Sequence, residues 1–136
     1  MSADTFLDTN ILIYALTPDD GRSLKVQSLL RDGGTIGVQV LNEFTNVATR
    51  MLQRPWSEVT QALAMLRILF PDPPAITVDT HRTAVEIASQ DGLSFYDALI
   101  IGSALEAGCK NLLSEDMQHG RTIRKILTIR NPFSGT

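Results

Sequence analysis

Asp8 interrupts FLDTNIL (residues 6–12), an apolar opening segment in which a carboxylate without a partner costs several kcal/mol by rough estimate. Fifteen acidic residues occur in the chain, and most have simple solvated explanations. Asp19, Asp20 and Asp72 fall in turns, whereas Asp32, Glu58, Glu86, Asp91 and Glu106 fall on helix surfaces or ends. Asp8, Glu43, Asp97 and Asp116 resist that account to different degrees. Each still has a modest reading of its own. Asp8 can cap the turn at Thr9 and Asn10, and Glu43 can reach water from the edge of an apolar stripe. Asp97 can close an S-x-x-D capping box with Ser94, and Asp116 can be a loop acid. Taken together they suggest more. Two unit charges about 4 Å apart interact by several kcal/mol at an effective dielectric near 20, so clustered carboxylates need a cation or stay partly protonated. Oxygen ligands without Cys or His favour a hard divalent ion, Mg²⁺ or Mn²⁺ as its substitute. The chemistry this suggests is metal-assisted phosphodiester hydrolysis. Neither G-x-x-x-x-G-K-[ST] nor G-x-G-x-x-G occurs, so no nucleotide cofactor is expected.

Composition narrows the classes further. With 136 residues, 43% hydrophobic and 20% charged, the chain reads as one globular domain spanning 1–136. Cys109 is the only cysteine, and His81 and His119 are the only histidines, which excludes a disulfide framework and leaves no zinc site. The opening MSADT lacks a basic leader and no apolar run is long enough for a bilayer, so a cytoplasmic protein without a membrane association is expected. A net charge of −3 argues against coating nucleic acid by bulk electrostatics. The charge is uneven, however: no acid follows Asp116, while Arg121, Arg124, Lys125 and Arg130 do. Those cations either form a solvated face or hold a polyanion.

The acids need elements to position them. TFLD predicts a first strand ending at Asp8, followed by a helical NILIYAL, a break at 18–21 and a helix over 24–32 that stops at Gly33–Gly34. TIGV (35–38) predicts a short strand, and Val40, Phe44, Val47 and Met51 mark one stripe of a helix over 40–52. Ser57 is placed to cap a helix running to 69, and PDPP (71–74) breaks the chain. AITV (75–78) predicts a strand, with Asp79 capping a helix that reaches Asp91–Gly92. Ser94 opens the next helix, which Gly108 ends, and NLLS (111–114) and KILTI (125–129) predict two more strands. Short strands alternating with helices imply an α/β fold: a three-layer α/β/α sandwich around a short, mostly parallel sheet. In such sheets sites form beyond the carboxyl ends of strands, where Asp8 and Asp116 are expected.

FLDTNILIYAL, LNEF, SFYDALIIGSAL and LLSEDMQHG, in this order and spacing over essentially the whole chain, resemble the acidic motifs of PIN-domain proteins. The similarity is greatest to VapC-type toxins of type II toxin–antitoxin systems. The resemblance implies a Mg²⁺- or Mn²⁺-dependent ribonuclease with RNA as substrate, a homodimer and a cognate antitoxin. By position Asp8, Glu43 and Asp97 match its three central acids and Asp116 the fourth; the expected roles are direct metal ligation for Asp8 and Asp97, ligation directly or through water for Glu43, and a second ion or the attacking water for Asp116. Asn10 matches a polar position that supports the first acid, Ser114 is a further supporting candidate, and Glu115 leaves the fourth acid ambiguous. His119, with Arg121, Arg124 and Lys125, is the candidate RNA contact.

Three other readings compete. A PIN-like scaffold that binds without cutting is opposed by the presence of all four acids. A phosphoacceptor regulatory domain wants an acid beside the first strand's Asp and a Lys near the last strand; here Asp8 stands alone and Arg130–Asn131 precedes Pro132. A PIN-like regulatory protein in a DNA-bound complex is not separated from a ribonuclease by sequence.

Overall fold

The protein is described by a computed structural model covering residues 4–17 and 21–134. Most of the break predicted at 18–21, with Asp19 and Asp20, lies outside the described residues. The sheet has four strands, β1 (Thr5–Leu7), β2 (Asn111–Leu113), β3 (Thr122–Ile123) and β4 (Leu127–Arg130), in the order β1-β2-β4-β3. β1 and β4 both run parallel to β2, and only β3 is antiparallel to its neighbour. Among the described residues six α-helices accompany it: α1 (Thr9–Ile13), α2 (Gly21–Asp32), α3 (Val38–Asn46), α4 (Trp56–Leu69), α5 (Val78–Asp91) and α6 (Phe95–Glu106). Phe6 and Leu7 point to opposite faces of β1 and both are fully buried, so the sheet is covered on both sides there. This is the expected layered α/β fold. Among the described residues no helix is long and apolar enough to cross a membrane.

The core explains most of the register. Phe6, Leu112 and Ile129 lie side by side on one face of the sheet and belong to the same buried core as Ile100, Ile101 and Ala104 of α6. α6 is buried along much of its length, from Ala98 through Ala104, and packs extensively on α5. Ser94 caps α6 as expected, accepting the backbone N–H of Asp97.

Several boundaries differ from the sequence expectation. The predicted strand at 35–38 reduces to one parallel bridge, Phe6 with Thr35. The chain then turns at Gly37 into α3; a Cβ at Gly37 would stand 3.0 Å from the Phe6 ring, too close to fit without displacement. AITV forms no strand: Thr77 caps α5 through a reciprocal bond with Thr80, and Val78 already begins the helix. Asp79 is therefore in the first turn rather than the cap. Pro55, not Ser57, precedes α4, and its fixed φ suits a helix start. The helix over 40–52 begins at Val38 and changes after Asn46 into a π-helix, Val47–Met51. KILTI contributes β4 but begins in a turn, where Arg124 and Lys125 adopt positive φ and send β3 back along β4.

Candidate active site: a carboxylate cleft at the strand ends

β1 ends one residue before Asp8, whose N–H donates to the Leu113 carbonyl at 2.9 Å and ties the ends of β1 and β2 together. Asp8 is also the N-cap of α1. Its Oδ1 accepts the N–H of Thr9, the first residue of the helix, at 2.7 Å. Its Oδ2 accepts from Ser114 Oγ at 2.8 Å and from Asn10 Nδ2 at 3.2 Å. The cap expected at Asp8 is thus present, and the same side chain lines the cleft at the strand ends.

Only 4% of Asp8 is exposed. Burial pushes its carboxyl up from the ordinary value of 3.8 to about 6, against the lowering effect of the Ser114 and Thr9 hydrogen bonds, and the charges of Glu43 and Asp97 push it further. Among the described residues no Lys or Arg pairs with Asp8, Glu43, Asp97 or Asp116.

Glu43 comes from α3, which the turn at Gly37 aims across the β1 end. Its Oε1 accepts from Thr9 Oγ1 at 2.9 Å and its Oε2 from Gln39 Nε2 at 3.1 Å. Asp97 lies in the first turn of α6, where the helix N-terminus favours a carboxylate. Asp116 is exposed in the loop after β2. All four acids line one cleft of about 480 Å³, with Ile13, Val47 and Met51 forming its apolar side.

The loop that carries Asp116 is fastened at two points. Ser114 Oγ accepts the Met117 N–H at 3.3 Å, and Asn10 Oδ1 accepts the Glu115 N–H at 3.0 Å. Ser114 and Asn10 therefore support both the first acid and the last. Glu115 is engaged elsewhere: Tyr14 donates its hydroxyl to Oε1 at 2.6 Å, and Arg22 pairs with Oε2 at 3.1 Å. Arg22 also lies against the rings of Tyr14 and Phe133, with centroid distances of 5.8 and 5.3 Å. Sequence reasoning missed Tyr14 and Arg22, because no local spacing signals a contact across about a hundred residues. It also missed Thr9 and Gln39 as the donors to Glu43, although the i, i+4 spacing of Gln39 and Glu43 on one helix was available.

The basic C-terminal segment is not brought to the acids. Arg121 donates to the Asp91 carbonyl at 2.6 Å and Arg124 pairs with Glu86 at 3.1 Å, both on α5. Lys125 sits in the β3–β4 turn. His119 Nδ1 accepts the Asn131 N–H at 2.9 Å. None of the four lines the cleft.

The donor set suits a hard divalent cation in type and charge: carboxylate oxygens only, one of them buried without a cationic partner. The placement is looser than a closed site. Among the described residues no group of three His, Cys, Asp or Glu side chains converges closely enough to hold a metal by itself. Glu43 is drawn toward Thr9 and Gln39, and Asp116 stands in solvent. Asp8 and Asp97 are the acids that could hold such an ion, with water supplying the remaining oxygen ligands Mg²⁺ commonly keeps.

The sequence model of the PIN domain family matches residues 5–125. No curated protein matches the chain by sequence. Among solved structures, a toxin–antitoxin complex from Klebsiella pneumoniae is similar, with 19% identity, a TM-score of 0.69, and coverage of 95% of this chain and 98% of the other. VapBC2 from Rickettsia felis, bound to a DNA fragment from its promoter, matches with 18% identity and a TM-score of 0.65 over 93% and 97%. Mycobacterium tuberculosis VapC20, a sarcin–ricin loop cleaving toxin, matches with 18% identity and a TM-score of 0.63 over 82% and 91%. At these identities the likeness is one of fold.

Proposed function

The chain belongs to the PIN domain family, and from that premise we propose that it is a metal-dependent endoribonuclease, the toxin of a toxin–antitoxin pair. One observation carries the reading: Asp8 is buried at the end of β1 with no cationic partner among the described residues, held by Ser114, Asn10 and Thr9, and facing Glu43 and Asp97. Burial makes this carboxylate costly to keep charged even with its cap and hydrogen bonds, and a bound cation would offset that cost.

Asp8 and Asp97 would hold Mg²⁺ or Mn²⁺, with Glu43 directly or through water and Asp116 at the open side. The ion, when bound, supplies Lewis acidity and an activated water for hydrolysis at phosphorus. The chain's own residues do the rest. Ser114 and Asn10 fix the orientation of Asp8, Thr9 and Gln39 that of Glu43, and Asp116 reaches solvent where a substrate would lie. No histidine lines the cleft: His81 packs on Phe95 and His119 is bound to the Asn131 backbone. A route through the RNA 2′-hydroxyl therefore lacks a histidine base, and products should carry 5′-phosphate and 3′-hydroxyl ends.

Support for the toxin role comes from the neighbours, two of them solved as toxin–antitoxin assemblies and one described as an RNA-cleaving toxin. The apolar wall of Ile13, Val47 and Met51 beside four acids suits an antitoxin segment that offers apolar side chains and an Arg. A homodimer belongs to the same proposal, as does an RNA contact from Arg121, Arg124, Lys125 and His119 outside the cleft. A role in a promoter-bound complex is compatible with it, since one neighbour was solved on promoter DNA. With a net charge of −3, this chain would leave most phosphate contacts to its partner.

The test is to incubate the purified chain with total RNA in Mg²⁺, Mn²⁺ or EDTA and to sequence the new 5′ ends. Discrete, metal-dependent cuts with ligatable 5′-phosphates are expected. Cyclic-phosphate ends, or no cleavage in any metal by a folded protein, would overturn the reading.

A further inference from the structure

Next to the carboxylate cleft lies a second depression, of about 420 Å³, that no acid but Glu43 shares with it. Its wall is Gln39, Asn42 and Asn46 from one face of α3, at i, i+3 and i+7, and its other side is Tyr96 at the start of α6. Tyr96 is 60% exposed. Its ring is steadied by an edge contact with Phe95 at 5.3 Å, which in turn packs on His81 at 5.3 Å. Tyr96 immediately precedes Asp97, and Asn42 immediately precedes Glu43. Both walls of the depression are therefore anchored to proposed metal ligands.

The chemistry of this strip is unlike that of its surroundings. Besides the Glu43 carboxylate at its edge it contains three amides, one exposed aromatic ring and no cation. A groove that holds a phosphate backbone needs Lys or Arg, which this one lacks. Amides carry both donors and acceptors on a neutral group, and an exposed ring supplies a stacking platform; together they fit the edge and face of an unpaired base. Gln39 is committed, donating to Glu43 and accepting from Asn42 Nδ2 at 3.4 Å. That leaves the Asn42 carbonyl and the whole Asn46 side-chain amide without a hydrogen-bond partner among the described residues.

We propose that this depression is a nucleobase subsite, in which Tyr96 stacks on an unpaired base flanking the scissile phosphate and Asn42 and Asn46 read its edge. The inference rests on the ribonuclease reading and names the feature of the substrate that the enzyme selects. Substrates are then single-stranded or looped at the cut, with a base preference set by α3 rather than by the acids.

Two measurements test it independently of each other. The first is cleavage mapping on total RNA in Mg²⁺ with the wild type, Tyr96→Ala, Tyr96→Phe and Asn42→Ala/Asn46→Ala. The wild type is expected to favour one base at a fixed position beside the cut. The double Asn variant keeps cutting with that preference flattened, Tyr96→Ala loses rate, and Tyr96→Phe, which retains the ring, does not. The second is fluorescence anisotropy with labelled six-nucleotide RNAs of each single base, in EDTA at low salt, which needs no catalysis. One sequence should bind tightest, Tyr96→Ala should weaken it roughly tenfold or more, and the double Asn variant should level the four affinities. If these variants match the wild type in the binding assay, the subsite is overturned whether or not the chain cleaves RNA. An absence of cleavage with the binding pattern intact instead overturns the nuclease reading and leaves the base subsite standing. Should the substitutions loosen a co-expressed antitoxin while base ranking stays unchanged, the strip is a partner contact and the proposal fails.

Discussion

At Asp8 the proposed activity would oppose stability. Its folded pKa of about 6 lies above the ordinary 3.8, so between those values the folded chain holds a proton that the unfolded chain has lost. Its contribution is therefore intact at low pH and falls as pH rises through about 6, by an amount on the order of 3 kcal/mol at neutrality. Asp8→Asn removes that penalty, although the new Nδ2 no longer accepts from Asn10. In EDTA at pH 7.5, this variant should melt a few degrees above wild type, with the difference shrinking toward pH 4. A lower melting temperature at pH 7.5 would refute the assignment of a strained carboxylate. Millimolar Mg²⁺ or Mn²⁺ should raise the melting temperature of the wild type by binding the folded state, and should do so far less in Asp8→Asn or Asp97→Asn. Both variants should fold yet fail to cleave RNA. Near-normal cleavage by the pair would show that the chemistry lies elsewhere.

At the scale of elements, the loop after β2 decides which acid completes the set. Glu115 is held by Tyr14 and Arg22, whereas Asp116 accepts no hydrogen bond among the described residues and faces the cleft. Asp116→Asn should therefore slow cleavage much more than Glu115→Gln, and the reverse order would exchange their roles. Ser114→Ala removes a donor to Asp8 and should cost roughly 10–100-fold in activity or metal affinity, as loss of a ligand-orienting partner does. The β3–β4 hairpin makes a weaker claim. The Arg124–Glu86 pair is exposed and of little stabilising worth, so its guanidinium can exchange to a phosphate. Neutralising Arg121, Arg124 and Lys125 should flatten the salt dependence of RNA binding, and an unchanged slope would return the hairpin to a purely structural role. Sequence reading succeeded where a polar residue broke an apolar rule, as at Asp8, or where a cap signature was local, as at Ser94. It failed at AITV because β-branched residues between breakers resemble a strand whether or not a neighbour exists to pair with them; here Val78 is 76% exposed. The partners of Glu115 and of Arg121 were illegible for a different reason, since both pairings are made by tertiary approach alone.

For the whole molecule, the proposed toxin role sets an expectation in cells. The chain expressed alone should arrest growth, and the small gene beside its own should relieve the arrest when co-expressed; harmless expression of a soluble, RNA-cleaving chain would contradict this. The sheet adds a matter of timing. β1 pairs with β2, which lies more than a hundred residues later, and Asp8 meets Ser114 across a separation of 106 positions. Parallel pairings between such distant segments form slowly, because the loop between them must be closed first. Until residues 111–116 have been synthesised, Asp8 has neither its strand neighbour nor its orienting hydroxyl, and Asn10 has no loop to hold. If the chain is the proposed nuclease, a nascent chain lacking residues 111–116 has no assembled site, and the interval between completion of the chain and closure of the sheet would be available for an antitoxin to bind.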